Sequence, residues 1–219
     1  LCGADGTPVP TADVVSVAEE MDLIVALDWM MLEQVCAFFG AHRELDGCAV
    51  SVNFSARQFL APDAERRVLD TLERHGLAPT RLKLELTERV LAGDIRRVRA
   101  VMEALAARGV EFYLDDFGTG YSNLSSVVSL PLQYVKVDRS LLEAATNGGG
   151  GALLLRAVVE TFRAMGRGIL LEGVETPEQY ALACTLRADR LQGYYLARPM
   201  PGEELCALMR SGARRTRRT

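Results

Sequence analysis

Six short stretches of this 219-residue chain place chemistry-bearing side chains where a strand would end. They are Asn53, Glu85, Asp115 with Asp116, Lys136 with Asp138, Glu172 with Glu175, and Gln192. The centre of the set is Glu111 to Ser122, an apolar run that delivers two adjacent carboxylates and then a loop holding Gly118 and Gly120. Successive side chains of a strand point to opposite faces. Asp115 and Asp116 can therefore share one site only if the strand ends there and the backbone turns, which the glycines permit. Carboxylates with an amide form a hard oxygen cage suited to Mg²⁺, Mn²⁺ or Ca²⁺. Two cations in such a cage can clamp a phosphodiester and activate a water. Lys136 among these acids can orient or deprotonate that water, or offset charge on the phosphate. No nucleophile stands beside a base, so water is the expected attacking group.

The elements that must position these residues alternate. Strands are expected at Cys48–Phe54, Leu82–Leu86, Val110–Leu114, Gln133–Val137, Gly168–Leu171 and Arg190–Leu191, with helical patterns between them. The next helical stretch is expected to start at Ser55 or at Ala61, to continue to about His75 and to stop at Gly76. Thr176-Pro177 reads as an N-cap followed by proline at the first helical position. Regular alternation implies a parallel sheet, and parallel strands whose carboxyl ends all carry polar residues imply a barrel with its site on one rim. The expected fold class is α/β, a TIM-like (β/α)8 barrel. Six strands are two short of closure, so the first two are expected to precede Leu1.

Composition narrows the function. Half-hydrophobic, quarter-charged usage is that of a globular domain, and no apolar run is read as long enough to span a bilayer. Five widely spaced cysteines without a C-x-x-C pair argue for reduced thiols and a cytoplasmic setting. Two histidines, both in helix-end contexts, argue against a histidine-based metal site or a Ser-His-Asp triad. Five arginines crowd residues 210–219; without them 20 basic face 29 acidic residues, a net charge of −9. An acidic body of that kind is not a DNA-binding surface. The expected domain is residues 1–209, followed by a basic, disordered tail.

Six motifs in order resemble the EAL domain family, whose members hydrolyse cyclic di-GMP to linear pGpG. They are Ser51-Val52-Asn53-Phe54-Ser55, Glu85-Leu86-Thr87-Glu88, Asp115-Asp116-Phe117-Gly118-Thr119-Gly120-Tyr121-Ser122, Val135-Lys136-Val137-Asp138-Arg139-Ser140, Glu172-Gly173-Val174-Glu175-Thr176, and Gln192-Gly193-Tyr194. The resemblance implies that Asn53, Glu85, Asp115, Asp116 and Glu172 bind two Mg²⁺ or Mn²⁺ ions directly or through water, with Ca²⁺ inhibitory. It implies that Lys136 contacts the catalytic water, that Glu175 and Gln192 support the site, and that Glu88 anchors the loop Phe117 to Ser122, which couples metal binding to homodimer contact. An upstream sensory or GGDEF domain is the expected neighbour. The family's Glu-Ala-Leu motif and the arginine after it, a metal ligand and a phosphate contact on the second strand, are missing from their place. Either they lie upstream of Leu1, or the domain is an inactive relative that acts as a cyclic di-GMP receptor or protein-interaction module.

Overall fold

The computed structural model describes residues 7, 9–87, 94–118 and 127–211. Two helices lead in, α1 (Thr11–Glu20) and α2 (Ile24–Ala41), followed by strand β1 (Val50–Asn53). Helices α3 (Ala56–Phe59) and α4 (Ala64–Arg74) then precede β2 (Leu82–Thr87), α5 (Ile95–Ala106) and β3 (Glu111–Phe117). The chain continues through β4 (Tyr134–Val137), α6 (Arg139–Thr146), α7 (Gly151–Ala164), β5 (Gly168–Leu171), α8 (Pro177–Thr185), β6 (Arg190–Leu191) and α9 (Gly202–Arg210). The six strands form one parallel sheet in sequence order. All six lie where the periodicity puts them. The sheet is curled, an α/β arrangement of the TIM-barrel kind with, among the described residues, six of the eight strands that closure needs.

The sheet has two chemically different faces, and strand alternation explains both. Leu82, Leu84, Leu86, Phe112, Leu114, Val135, Val137, Ile169 and Leu171 belong to one buried apolar cluster with residues of the helices. The helices contribute Leu32, Cys36, Val68, Leu72, Val98, Met102, Leu142, Leu155 and Phe162. An aromatic series, Trp29–Phe54–Phe59–Phe112, runs through it with ring centroids 4.7–6.0 Å apart. The alternate residues, Lys83, Glu85, Glu111, Tyr113, Asp115, Tyr134, Lys136 and Arg190, line the inner face. Burying Leu, Phe and Val side chains stabilises by about 1.5–3 kcal/mol each, so the outer face holds the strands in register while the inner face carries polar groups.

Two local expectations are corrected. The first is a single stretch from Ser55: the structure has a separate short helix α3 before Pro62, which interrupts the ladder, and α4 follows close to the alternative start at Ala61. As expected, α4 ends before Gly76, which takes φ +63°. The second is the reading that no apolar run is long enough to span a bilayer, which α2 corrects. At 18 residues with a mean hydropathy of 1.4 it reaches the length and composition of a membrane span. It carries Asp28 and Glu33, and its Trp29, Leu32, Cys36 and Phe39 are packed in the core. The cap expected at Thr176 is present: Thr176 Oγ1 accepts from the Gln179 N–H at 3.2 Å, and Gln179 Oε1 accepts from the Thr176 N–H at 3.0 Å. The two histidines cap the ends of α2 and α4, and the four described cysteines are free thiols.

Candidate active site

The two aspartates share a site through a β-bulge, not through the end of the strand. Tyr113 and Leu114 pair with Tyr134 and Val135, yet the next pair is Phe117 with Val137. Asp115 and Asp116 therefore both stand opposite Lys136, two residues against one. Asp116 takes φ +55°, a conformation that Asp tolerates better than most residues, and its N–H donates to Asp115 Oδ1 at 3.0 Å. The bulge breaks the alternation and turns both carboxylates toward one rim.

Around this bulge the strand ends converge. Lys136 is buried, and its Nζ lies 2.7 Å from Glu85 Oε2, 2.8 Å from Asp115 Oδ1 and 3.0 Å from Glu172 Oε1. Four consecutive strands, β2 to β5, thus meet on one ammonium, with Glu172 following directly on β5. Burial works against the charge on Lys136, but the Glu85 and Asp115 carboxylates outweigh it and hold the ammonium above the usual lysine range. Without a metal ion, Lys136 is a charged donor to the three carboxylates.

One ammonium does not balance four carboxylates. Carboxylate oxygens of Asp115, Asp116 and Glu172 all lie within 4.8 Å of one another. At an effective dielectric of about 20, like charges at that spacing repel by roughly 3 kcal/mol per pair. Burial, then the Asp115 charge, pushes Asp116 above the ordinary aspartate range. Burial likewise raises Glu172, although Lys136 opposes it. The donor set, hard oxygen ligands with excess negative charge at close range, fits a divalent cation.

The remaining expected residues divide. Asn53 stands opposite Glu85 in the β1–β2 register, so it shares the rim face, exposed on the outer strand. Beyond β5 and β6 the rim continues as a short ladder: the Val174 N–H donates to Gln192 O at 3.0 Å and the Tyr195 N–H to Val174 O at 2.9 Å. This places Gln192 beside the backbone that flanks Glu172; Gln192 and Glu175 are both exposed. The Glu175 N–H donates to Gln179 Oε1 at 2.7 Å, and no described contact brings its carboxylate into the cluster. Asp138 has the bland role of a cap on α6, accepting from the Ser140 N–H at 2.9 Å; burial opposes that hydrogen bond, which still holds the carboxyl low. Glu88 and loop residues 119–122 lie outside the described residues.

Sequence reasoning missed the polar rows beneath the site. Lys83 Nζ lies 2.9 Å from Glu111 Oε2 and donates to Thr80 O at 2.7 Å. Tyr113 donates to Glu111 Oε2 at 3.1 Å. The signal was available in Leu82-Lys83-Leu84-Glu85-Leu86, whose strict alternation marks a strand with a polar inner face.

A family model for the EAL domain matches residues 3–199. The chain belongs to the EAL domain family. It is 35% identical over 195 residues to the bifunctional diguanylate cyclase/cyclic di-GMP phosphodiesterase MucR of Pseudomonas aeruginosa, covering 87% of this chain and 28% of that protein. It is 30% identical over 205 residues to the oxygen sensor protein DosP of Escherichia coli, covering 93% of this chain and 26% of that protein. The chain thus spans little more than a quarter of these relatives. A solved structure of the PaMucR phosphodiesterase in complex with c-di-GMP superimposes with a TM-score of 0.83 at 33% identity, covering 93% of this chain and 83% of that one. The tripeptide that names the EAL family does occur here, at Glu103-Ala104-Leu105. It lies inside α5, where Glu103 is exposed and accepts from Arg99 Nε at 2.7 Å. It is a helix-surface ion pair, not the strand-end motif.

The crowded carboxylates carry a stability cost. An Asp whose folded pKa exceeds its unfolded value destabilises the fold above that folded pKa, and the cost vanishes as pH falls toward 3.8. Asp116→Asn keeps a residue that accepts φ +55° and removes one charge. It is expected to raise the thermal midpoint of the metal-free protein at pH 7, with the gain shrinking as pH falls through the folded pKa. Calorimetric melts at pH 7 and pH 4.5 check this; a lowered midpoint at pH 7 would show that Asp116 is not under repulsion.

Proposed function

We propose that this chain is the cyclic di-GMP phosphodiesterase module of a bacterial signalling protein, producing linear pGpG. The observation that carries the reading is the convergence of Glu85, Asp115 and Glu172 on buried Lys136, with Asp116 added by the bulge. In this reading Asn53, Glu85, Asp115, Asp116 and Glu172 hold two Mg²⁺ or Mn²⁺ ions. When bound, the ions withdraw charge from the phosphodiester and lower the pKa of the attacking water. Lys136 orients that water and offsets charge on the phosphate. Glu172 and Glu175 stand with Lys136 in the catalytic set. Gln192 supports the rim, and Glu88 anchors the loop after Phe117. The similarity to MucR and DosP supports a signalling setting with a cyclase or sensory domain beside this one; a homodimer and a cytoplasmic location complete the proposal.

A second reading has its own observation: among the described residues no strand end carries the Glu-Ala-Leu motif, the tripeptide at 103–105 being helical. A domain lacking that ligand would bind cyclic di-GMP without cleaving it.

Metal dependence tests the first reading. The full-length protein is expected to convert cyclic di-GMP to pGpG with Mg²⁺ or Mn²⁺, and to lose activity in Ca²⁺ or excess chelator. Ca²⁺ prefers more ligands at longer distances and would hold substrate without the compact geometry that the displacement needs. Hydrolysis that survives chelation would rule out metal catalysis. Binding without pGpG under every divalent ion would establish the receptor.

A further inference from the structure

One row below Lys136 and Asp115 the inner face of the sheet carries an aromatic layer that the mechanism above does not use. Tyr113 and Tyr134 are register partners with ring centroids 4.9 Å apart. Gly168 is the register partner of Tyr134 on β5. A Cβ on Gly168 would fall 2.4 Å from the Tyr134 ring, so the ring occupies the space that any other residue would fill. Over this layer lies Arg190 of β6. Its Cζ is 4.2 Å from the Tyr134 centroid and 5.4 Å from that of Tyr113, and its Nη1 donates to Tyr113 Oη. The chain of donors continues downward from Tyr113 to Glu111, where Lys83 closes it. Burial pushes the Tyr113 phenol upward, so it keeps the proton that it donates.

The rows above and below are linked through the backbone at a spacing of two residues. Tyr113 precedes Asp115 by two on β3, and Tyr134 precedes Lys136 by two on β4. Between them runs the bulge, the one place where the β3–β4 register shifts. A bulge leaves residues unpaired in the ladder, so its geometry depends on what packs beneath it. Arg190 ties the two strands together there from the inside: it stacks on the β4 ring and hydrogen-bonds the β3 phenol. A planar guanidinium can stack and donate at once, which an ammonium cannot do in the same way.

We propose that Arg190 is a positioning residue for the phosphodiesterase site, fixing the Tyr113–Tyr134 layer on which the Asp115–Asp116 bulge and Lys136 rest. The proposal builds on the phosphodiesterase reading but makes a separate claim about β6. No described contact joins Arg190 to the carboxylate cluster; it acts through the two tyrosines. Displacement of about 1 Å in a catalytic group can cost on the order of 100-fold in rate, so loss of this clamp should appear in turnover before it appears in substrate affinity.

The experiment compares Arg190→Met, Arg190→Lys, Tyr113→Phe and the Arg190→Met/Tyr113→Phe double variant in the full-length protein. Turnover, cyclic di-GMP affinity in Ca²⁺ and Mn²⁺ affinity by calorimetry are measured for each. Arg190→Met is expected to lower kcat by roughly 10- to 100-fold, with cyclic di-GMP affinity within about threefold of the parent. Arg190→Lys keeps the charge but not the planar stack and is expected not to restore kcat. The double variant is expected to lose no more than the worse single variant, because both break the same clamp. The Mn²⁺ arm has a diagnostic sign. Removing a cation near an acidic cluster would by charge alone tighten Mn²⁺ binding, whereas a loosened bulge weakens it, and weakening is expected. A kcat within twofold of the parent, full rescue by Arg190→Lys, additive losses in the double variant, or tighter Mn²⁺ binding would each overturn the proposal. If the parent protein makes no pGpG, the phosphodiesterase reading fails while the Mn²⁺ arm still decides the role of Arg190.

Discussion

Replacing Lys136 with alanine is expected to lower cyclic di-GMP hydrolysis by roughly two to four orders of magnitude, the usual worth of a positioned proton-handling group, while substrate binding persists. Lys136 Nζ sits within 3.0 Å of three carboxylates from three strands. Removing it leaves every carboxylate in place, so a cation cage survives and substrate retains its anchor. The metal-free variant has a separate fate. Breaking a buried ion pair by deleting one partner costs on the order of 3–5 kcal/mol, and here one ammonium serves three partners. The variant is therefore expected to melt well below the parent without divalent ions and to recover much of that loss when Mg²⁺ or Mn²⁺ is added. Calorimetric affinity, chromatographic pGpG production and thermal melts with and without Mg²⁺ check the three parts. Near-normal turnover would make Lys136 a structural cation only.

Asp115→Asn is expected to fail differently, losing cation binding and turnover together. Asp115 is the carboxylate common to both groupings: it contacts Lys136, and it joins Asp116 and Glu172 within 4.8 Å. The amide is nearly isosteric and can still accept the Asp116 N–H, so the bulge is retained. What is lost is one negative charge at the centre of the cage. Mn²⁺ affinity should fall by at least 100-fold, about 2.7 kcal/mol, and hydrolysis should fall with it. Turnover that drops while Mn²⁺ affinity stays intact would move Asp115 out of the ligand set and into the chemistry.

Much of this molecule was legible before its coordinates. Val110–Leu114 and Leu82–Leu86 read as strands because their outer-face residues must be apolar to meet the helices. Glu85, Asp115, Lys136 and Glu172 read as a site because parallel strands deliver their carboxyl ends to one rim. The bulge was not legible. Alternation alone places Asp115 and Asp116 on opposite faces, and the sequence suggested a chain turn at the glycines; instead β3 continues to Phe117 and Asp116 absorbs the irregularity at φ +55°. The break at Pro62 and the cap role of Asp138 follow from ordinary propensities of proline and aspartate. Arg190 was invisible for another reason. Its partners, Tyr113 and Tyr134, are 77 and 56 positions earlier in the chain, and only the curl of the sheet brings β6 across them.

The most direct test of the account is product analysis of the full-length protein incubated with cyclic di-GMP and Mg²⁺ or Mn²⁺, beside its Lys136→Ala variant. The account predicts stoichiometric linear pGpG from the parent, traces from the variant, and cyclic di-GMP bound by both. Binding by the parent with no pGpG under either ion would contradict it and leave this site as a receptor for the intact dinucleotide.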